Sequence, residues 1–345
     1  MFFVKKIAQA LFVLWGVVTL SFVIFQLLGD PVRLMVGQSG DKKTLENIRK
    51  SFHLDQPKWK QYTLFINDVS FLSVYNSSEI KEKDIKGIFI GPNNNIVIKL
   101  PYFGKSYQAK KNVIAILSEA IPATFLLAFF ALFIASVVGI FLGVVSAINK
   151  NKILDYCSIL ISTIGISAPS FFIAILIAWL FGIKFHSISG LNFTGSLYEI
   201  DDVTGEKYLV VKNIILPAIT LGIRPLSIIT QLTRSSMLDV LNKDFVRTAY
   251  AKGLNKTTIL FKHALKNAIM PVFISITGWF AELLAGAFFV EFIFGWNGVG
   301  KITVDALTKL DYPVVIGSII FSASIFIIIN ILSDYVQKKI NPMLN

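Results

Sequence analysis

Six apolar runs of about twenty residues divide this chain, at roughly Ile7–Leu28, Ile121–Ile148, Leu154–Phe181, Leu216–Leu238, Ala268–Val290 and Val314–Leu332. A helix of roughly 20 apolar residues crosses about 30 Å of hydrocarbon. Backbone groups in lipid must be satisfied within the segment, so such runs fold as helices. Composition agrees: 54% hydrophobic residues, 30 Phe in 345 residues and a mean hydropathy of +0.67 exceed a water-soluble core of this length. The expected fold class is all-α and polytopic, with six transmembrane helices.

The first run follows Lys5 and Lys6. It is longer than the roughly 7–15 residues of a secretion-signal core, and no small-x-small cleavage site follows it. It reads as a retained span covering residues 1–28. Lys and Arg in short loops set orientation, because long loops cross largely regardless of charge. An inside N-terminus also places inside Lys150, Lys152, the cations from Arg234 to Lys266, and Lys338 and Lys339. Both termini, including the tail 341–345, are then cytoplasmic.

A net charge of +12 raises the question of nucleic acid. Cations flanking spans are topology signals that meet anionic lipid, and no aromatic-basic constellation for bases accompanies them. Membrane lipid is the expected neighbour and nucleic acid is not. Cys157 is the one cysteine and falls in the third run, so neither a disulfide framework nor a thiolate metal site is expected.

Residues 29–118 form a long polar segment that the topology places outside the cytoplasm as a small ordered domain. Within it Leu45, Ile48 and Phe52 have helical spacing over Thr44–Phe52. Ile88-Phe-Ile and Asn95-Ile-Val-Ile-Lys-Leu alternate around the turn residues Gly91-Pro-Asn-Asn-Asn, which predicts a hairpin. A second external loop near His186–Lys212 is acidic in Glu199, Asp201, Asp202 and Glu206, either for a basic partner or as a solvated loop. Gly139 and Gly143 make a GxxxG pair of the kind that lets membrane helices approach closely.

Catalytic patterns fail on inspection. Gly295-Trp-Asn-Gly-Val-Gly-Lys-Ile fits GxxxxGK but ends in Ile, so the hydroxyl that would hold magnesium is missing. His53, His186 and His263 are scattered without metal-ligand spacing, and no GxSxG elbow is present. No enzyme, cofactor or metal is expected.

The most patterned internal segment lies between spans four and five, in the loop 239–270. Asp244 can cap a helix, Val246, Ala249 and Tyr250 share a face, and Gly253 supplies a left-handed stop. Asn255 or Thr257 can start a second helix, with Leu260, Ala264 and Leu265 apolar. Arg247, Lys252, Lys256, Lys262 and Lys266 make the segment basic. On spacing alone it fits either a docking element for a soluble partner or an amphipathic helix on lipid headgroups.

Asp244-Phe-Val-Arg-Thr-Ala-Tyr-Ala-Lys-Gly-Leu with His263-Ala-Leu-Lys-Asn-Ala-Ile-Met-Pro resembles the EAA-type coupling loop of dipeptide/oligopeptide-type permease subunits of bacterial ABC importers. Other stretches agree in order: Leu28-Gly-Asp-Pro-Val-Arg, Leu54-Asp-Gln-Pro-Lys-Trp-Lys-Gln-Tyr, Ile121-Pro-Ala-Thr, Ser167-Ala-Pro-Ser-Phe, Leu232-Thr-Arg-Ser-Ser-Met-Leu, Val290-Glu-Phe-Ile-Phe, Asp311-Tyr-Pro-Val-Val and Asn341-Pro. The resemblance implies a type I importer bundle, with a five-helix core over 119–340, in the bacterial inner membrane. It implies that Arg247, Thr248, Ala249, Gly253 and Leu254 dock on an ATPase. It also implies a second homologous permease, two cytoplasmic ATPase subunits, an extracytoplasmic solute-binding protein, and di- or oligopeptides or a related small solute as cargo. A stand-alone secondary transporter or channel is the alternative, and it more often shows an inverted repeat and paired intramembrane acids.

Departures from the family pattern are local. Arg247 and Thr248 replace Glu and Ala of the general motif, and Asn297 stands where Pro is common. An apparent insertion spans about 72–100 and serves either as a binding-protein contact or as decoration of the external domain.

Arg224 and Glu282 sit inside predicted spans, each about eight residues from an outer end and so roughly 12 Å deep. An unmatched arginine near mid-membrane costs at least about 2.5–3.5 kcal/mol, so such groups face a partner or a wet cavity. They are expected either to pair, or to line the solute path together with Pro169 and Ser170, or to snorkel separately. Pro169 and Pro225 are expected to break backbone bonds within spans three and four.

Overall fold

A computed structural model of the chain describes residues 2–27, 49, 54–90, 95–201 and 204–340. The helix expected over 44–52, the turn at 91–94, the stretch 28–33 and the tail 341–345 lie outside the described residues, apart from Arg49.

In chain order, α1 (Phe2–Leu27) is followed by α2 (Lys58–Val69), β1 (Leu72–Val74), α3 (Ser77–Glu82), β2 (Gly87–Ile90) and β3 (Ile96–Lys99). Then come α4 (Val113–Ile148), α5 (Ile153–Ser167) and α6 (Ser170–Trp179), continued by a π turn at Leu180–Lys184, and the single turn α7 (His186–Ser189). The ribbon of β4 (Tyr198–Ile200) and β5 (Lys207–Leu209) precedes α8 (Ile215–Leu241), α9 (Asp244–Ala251) and α10 (Lys256–Thr258). A second π segment, Ile259–Leu265, runs into α11 (Lys266–Gly286), then α12 (Phe288–Ile293), α13 (Val299–Thr308) and α14 (Tyr312–Ile340).

Among the described residues, five helical stretches are long and apolar enough to cross a membrane: Lys5–Leu27, Val113–Ile148, Val211–Leu241, Lys256–Ala285 and Tyr312–Lys339. The third predicted run differs. It is two helices, α5 and α6 with its π extension, bent by 109° at Ala168–Pro169, and counting the pair as one span gives six. Proline disfavours helical backbone in the residue before it, and Ala168 is extended, with φ −78° and ψ 133°. Pro169 therefore separates two helices where a kink within one was expected. Pro225, by contrast, lies inside an unbroken α8.

The chain forms two compact units, residues 1–120 with 302–324 and residues 121–301 with 325–345. In the first, the expected hairpin is present, with Ile88 opposite Ile98 and Ile90 opposite Ile96. β1, which was not foreseen, pairs with the other edge of β3, so the sheet order is β1-β3-β2. One face carries Leu72, Val74, Ile88, Ile90, Ile96 and Ile98, all exposed. The other buries Ser73, Val97 and Lys99. Lys99 Nζ donates to the carbonyls of Asp68 (2.5 Å) and Ser70 (3.2 Å), while the Asp68 carboxylate takes Tyr75 Oη (2.8 Å) and Lys83 Nζ (2.7 Å). Burial pushes the Lys99 ammonium down from 10.5 to about 8. In the same unit, Asp311 accepts from Ser106 Oγ (2.5 Å) and the Tyr107 amide (2.9 Å), which ties the start of α14 to residues about 205 positions earlier in the chain.

In the second unit α4 packs on α8 through small residues. A Cβ on Gly139 would lie 2.9 Å from the Leu226 carbonyl oxygen, and one on Gly143 2.5 Å from Thr233 Cβ. The GxxxG pair is thus a backbone contact that any side chain would wedge apart. Around it lies a core of Leu127, Ala131, Ala135, Ile229, Phe294 and Trp296.

Candidate functional site

The basic loop folds as a braced protrusion. Lys243 takes the N-cap position of α9 and no side chain caps it, so Asp244 is a first-turn acid where a cap was expected. Its charge there favours the positive end of the helix dipole. Gly253 stops the helix with φ +76°. Asn255 then caps α10 by accepting from the Thr258 amide at 2.8 Å. Val246, Ala249 and Ile259 are buried together beneath the protrusion, against Val240 and Leu241.

Of the five residues expected to dock, Arg247, Thr248, Gly253 and Leu254 are exposed, whereas Ala249 is buried at 5% exposure and holds α9 to its support. Arg247 lies 3.6 Å from Asp244, in an exposed contact between neighbouring turns. Phe245, Tyr250 and Phe261 are also exposed beside these residues. Helical spacing sets Tyr250 on one face with Val246 and Ala249, yet it is exposed where those two are buried, and the spacing does not single out Phe245 or Phe261.

A second candidate surface runs along α8 and α11, which pack side by side. Arg224, Gln231 and Ser235 recur at helical spacing on the open side of α8, and Pro271, Ser275, Gly278 and Glu282 on that of α11. Each is exposed or half-exposed. Arg224 and Glu282 do not pair with each other among the described residues. Arg224 Cζ instead lies 5.9 Å from the centroid of the Trp279 ring, three residues before Glu282. Pro169 and Ser170 are exposed at the α5–α6 bend.

Two buried carboxylates went unnoticed in the sequence. Asp155, at the start of α5, takes Arg234 of α8 through both oxygens (Nε 2.6 Å, Nη2 2.8 Å), with Ser146 Oγ at 2.5 Å and the Asn151 amide at 2.9 Å. Glu291 is fully buried and accepts from Thr124 Oγ1 (2.7 Å), the Gly300 amide (2.7 Å) and the Lys301 amide (3.2 Å). The two amides that a phosphate would need in the GxxxxGK-like turn are thereby engaged by the chain's own carboxylate. Both sites were hidden because their partners stand far off in sequence, 79 residues for Asp155 and 167 for Glu291 with Thr124.

This bundle, with broken third span and braced polar protrusion, is that of a multi-pass membrane permease subunit. Solved chains of the MetNI methionine ABC transporter in inward-facing conformations share the fold, at TM-scores of 0.50 and 0.51 and 14% and 15% identity, over 66% of this chain and 97% and 98% of theirs. The description "Binding-protein-dependent transport system inner membrane component" matches residues 139–345, and its N-terminal counterpart residues 1–128. The chain belongs to this family of inner membrane transport components. Its relatives include the dipeptide transport system permease proteins DppB of Alkalihalophilus pseudofirmus, 30% identical over 96% of this chain and 95% of that one, and of Escherichia coli K12, 30% identical over 99% and 97%. The protein of the same name from Haemophilus influenzae is 38% identical over 70% of this chain and 76% of its own.

Proposed function

We propose that this chain forms half of the membrane pathway of an ATP-driven importer of di- or oligopeptides, and that the 244–265 protrusion seats in a cytoplasmic ATPase subunit. The protrusion carries this reading. It is braced from below by Val246, Ala249 and Ile259 yet exposes Phe245, Tyr250, Leu254 and Phe261 among cations. An apolar-basic knob of this kind on a rigid support is suited to insertion into a groove on a soluble partner. ATP binding and hydrolysis belong to two such partners, and the permease moves with them without chemistry of its own. A second homologous permease completes the pathway, and an extracytoplasmic binding protein delivers the solute. Peptide cargo is carried over from the names of the DppB relatives. Both termini are cytoplasmic, and residues 72–100 face outward with the exposed aliphatic sheet face toward the binding protein.

A cysteine in place of Leu254, in a Cys157→Ser background, tests the docking. It is expected to cross-link to a co-expressed ATPase subunit and to resist impermeant thiol reagents added outside intact cells. Labelling from outside, or ATPase-independent uptake, overturns the reading and favours an ion-driven carrier.

A further inference from the structure

Of the alternatives open to Arg224 and Glu282, the direct pair is not formed among the described residues, and their arrangement has a chemistry of its own. Arg224 is the tenth residue of α8, and so about 13–14 Å along it. Its guanidinium lies over Trp279, and Glu282 follows Trp279 by three residues on α11, one turn further along the same helix. Cation and anion thus stand at neighbouring levels of two packed helices, with the cation over an aromatic ring one turn from the anion. Both are exposed, and among the described residues neither has an ion-pair partner. Unmatched charges within a span are unfavourable unless something charged or wet meets them.

We infer that Arg224 and Glu282 hold the two ends of a zwitterionic peptide as it passes, the guanidinium taking the terminal carboxylate and Glu282 the terminal ammonium. This rests on the peptide-import reading above. A guanidinium is the best-matched side chain for a carboxylate, which it can hold through two parallel hydrogen bonds. Resting the guanidinium on an aromatic face leaves its edge donors free for that purpose. An extended dipeptide separates its end charges by about two residue lengths, on the order of 7 Å, so its two ends need separate partners of opposite sign. The same open faces carry Gln231 and Ser275 and the side-chain-free Gly278, around which a Cβ would find open space within 4 Å. Polar, uncrowded faces of this kind suit a hydrated solute better than lipid.

Charge restoration by chemistry tests the assignment. In a Cys157→Ser background of the full chain, co-expressed with its partner subunits, uptake of dialanine is measured for Arg224→Cys, Glu282→Cys and the double variant. Each is assayed before and after a thiosulfonate reagent that leaves either an ammonium or a sulfonate. Arg224→Cys is expected to lose roughly ten- to hundredfold in uptake, the range of a charge-assisted hydrogen bond. It recovers with the ammonium reagent alone, and Arg224→Lys retains most uptake. Glu282→Cys shows the mirror pattern, and the double variant falls below either single.

Three results overturn the inference. One is a cysteine at 224 or 282 that no aqueous reagent reaches, or that both reagents or neither restore, as for a lipid-facing or merely structural residue. Another is Arg224→Cys transporting like its parent. A third is a double variant that outperforms both singles, the mark of two side chains that neutralise each other in the assembled transporter. A parent that takes up no peptide, or does so without ATP, defeats the importer reading itself, whereas a competent parent with indifferent variants defeats only this inference.

Discussion

Arg234 and Arg224 stand ten residues apart on α8, and their surroundings differ in kind. Arg234 is clamped through two nitrogens onto the buried Asp155, which also accepts from Ser146 and the Asn151 amide. Arg224 has an aromatic ring beneath it and open space beyond. A charge whose partners are all within the chain stabilises the fold. One that has no ion-pair partner among the described residues is open to meet something else.

The comparison breaks first at Asp155. Replacing it by Ala leaves Arg234 partly buried without its counter-ion, and breaking such a pair costs roughly 3–5 kcal/mol. Melting of the purified protein in detergent is expected to drop steeply for Asp155→Ala and Arg234→Ala, and hardly at all for Arg224→Gln. Equal losses at both arginines would remove the distinction.

Helix faces repeat the contrast between closed and open. Gly143 presses on Thr233 and the Thr230 carbonyl, whereas Gly278 has nothing within 4 Å of an added Cβ. Gly143→Val is expected to destabilise by about 1–3 kcal/mol through overpacking, with Gly278→Ala neutral in the same melting assay. A neutral Gly143→Val would mean that α4 and α8 can part without loss.

Much of this was legible from residue order. Hydropathy runs gave the spans because backbone satisfaction in lipid leaves few alternatives, and Gly253 and Asn255 marked helix ends through local chemistry that needs no tertiary context. The hairpin followed from alternation at Ile88 and Ile96–Lys99. Long-range polar contacts escaped: Asp155 reads as an ordinary first-turn acid until Arg234 is beside it, and Glu291 as a loop residue until Thr124 and the α13 amides close on it. The break at Pro169 was read as a kink because proline reports a lost hydrogen bond but not the angle that packing selects. Ala249 shared a motif with Arg247 and Thr248, and motif position alone does not tell a buried brace from an exposed contact.

Glu291 and Gln231 extend the comparison to neutral partners. Thr124 Oγ1 donates to Glu291 and accepts from the Val299 amide (2.9 Å), all of it buried. Gln231 makes no hydrogen bond among the described residues. Thr124→Val strands an amide and a carboxylate oxygen and is expected to cost about 1–2 kcal/mol, with Gln231→Leu leaving melting unchanged. A destabilised Gln231→Leu would show that the open face is packed after all.

Lys99 is a third case: more deeply buried than Arg234, yet held by the Asp68 and Ser70 carbonyls in place of a bidentate carboxylate. A lysine in that position can shed its proton where an arginine cannot. Its folded value near 8 lies below the ordinary 10.5, so the neutral form is favoured on folding. The stability this contributes is fully present above about 10.5 and is lost as pH falls through 8. Measured as wild type against Lys99→Met, to cancel other titrations, melting is expected to shift toward wild type by about 1 kcal/mol between pH 8 and 9. A difference that stays flat over that range would place a full charge on Lys99 and make it a third paired cation, with Asp68 as its counter-ion.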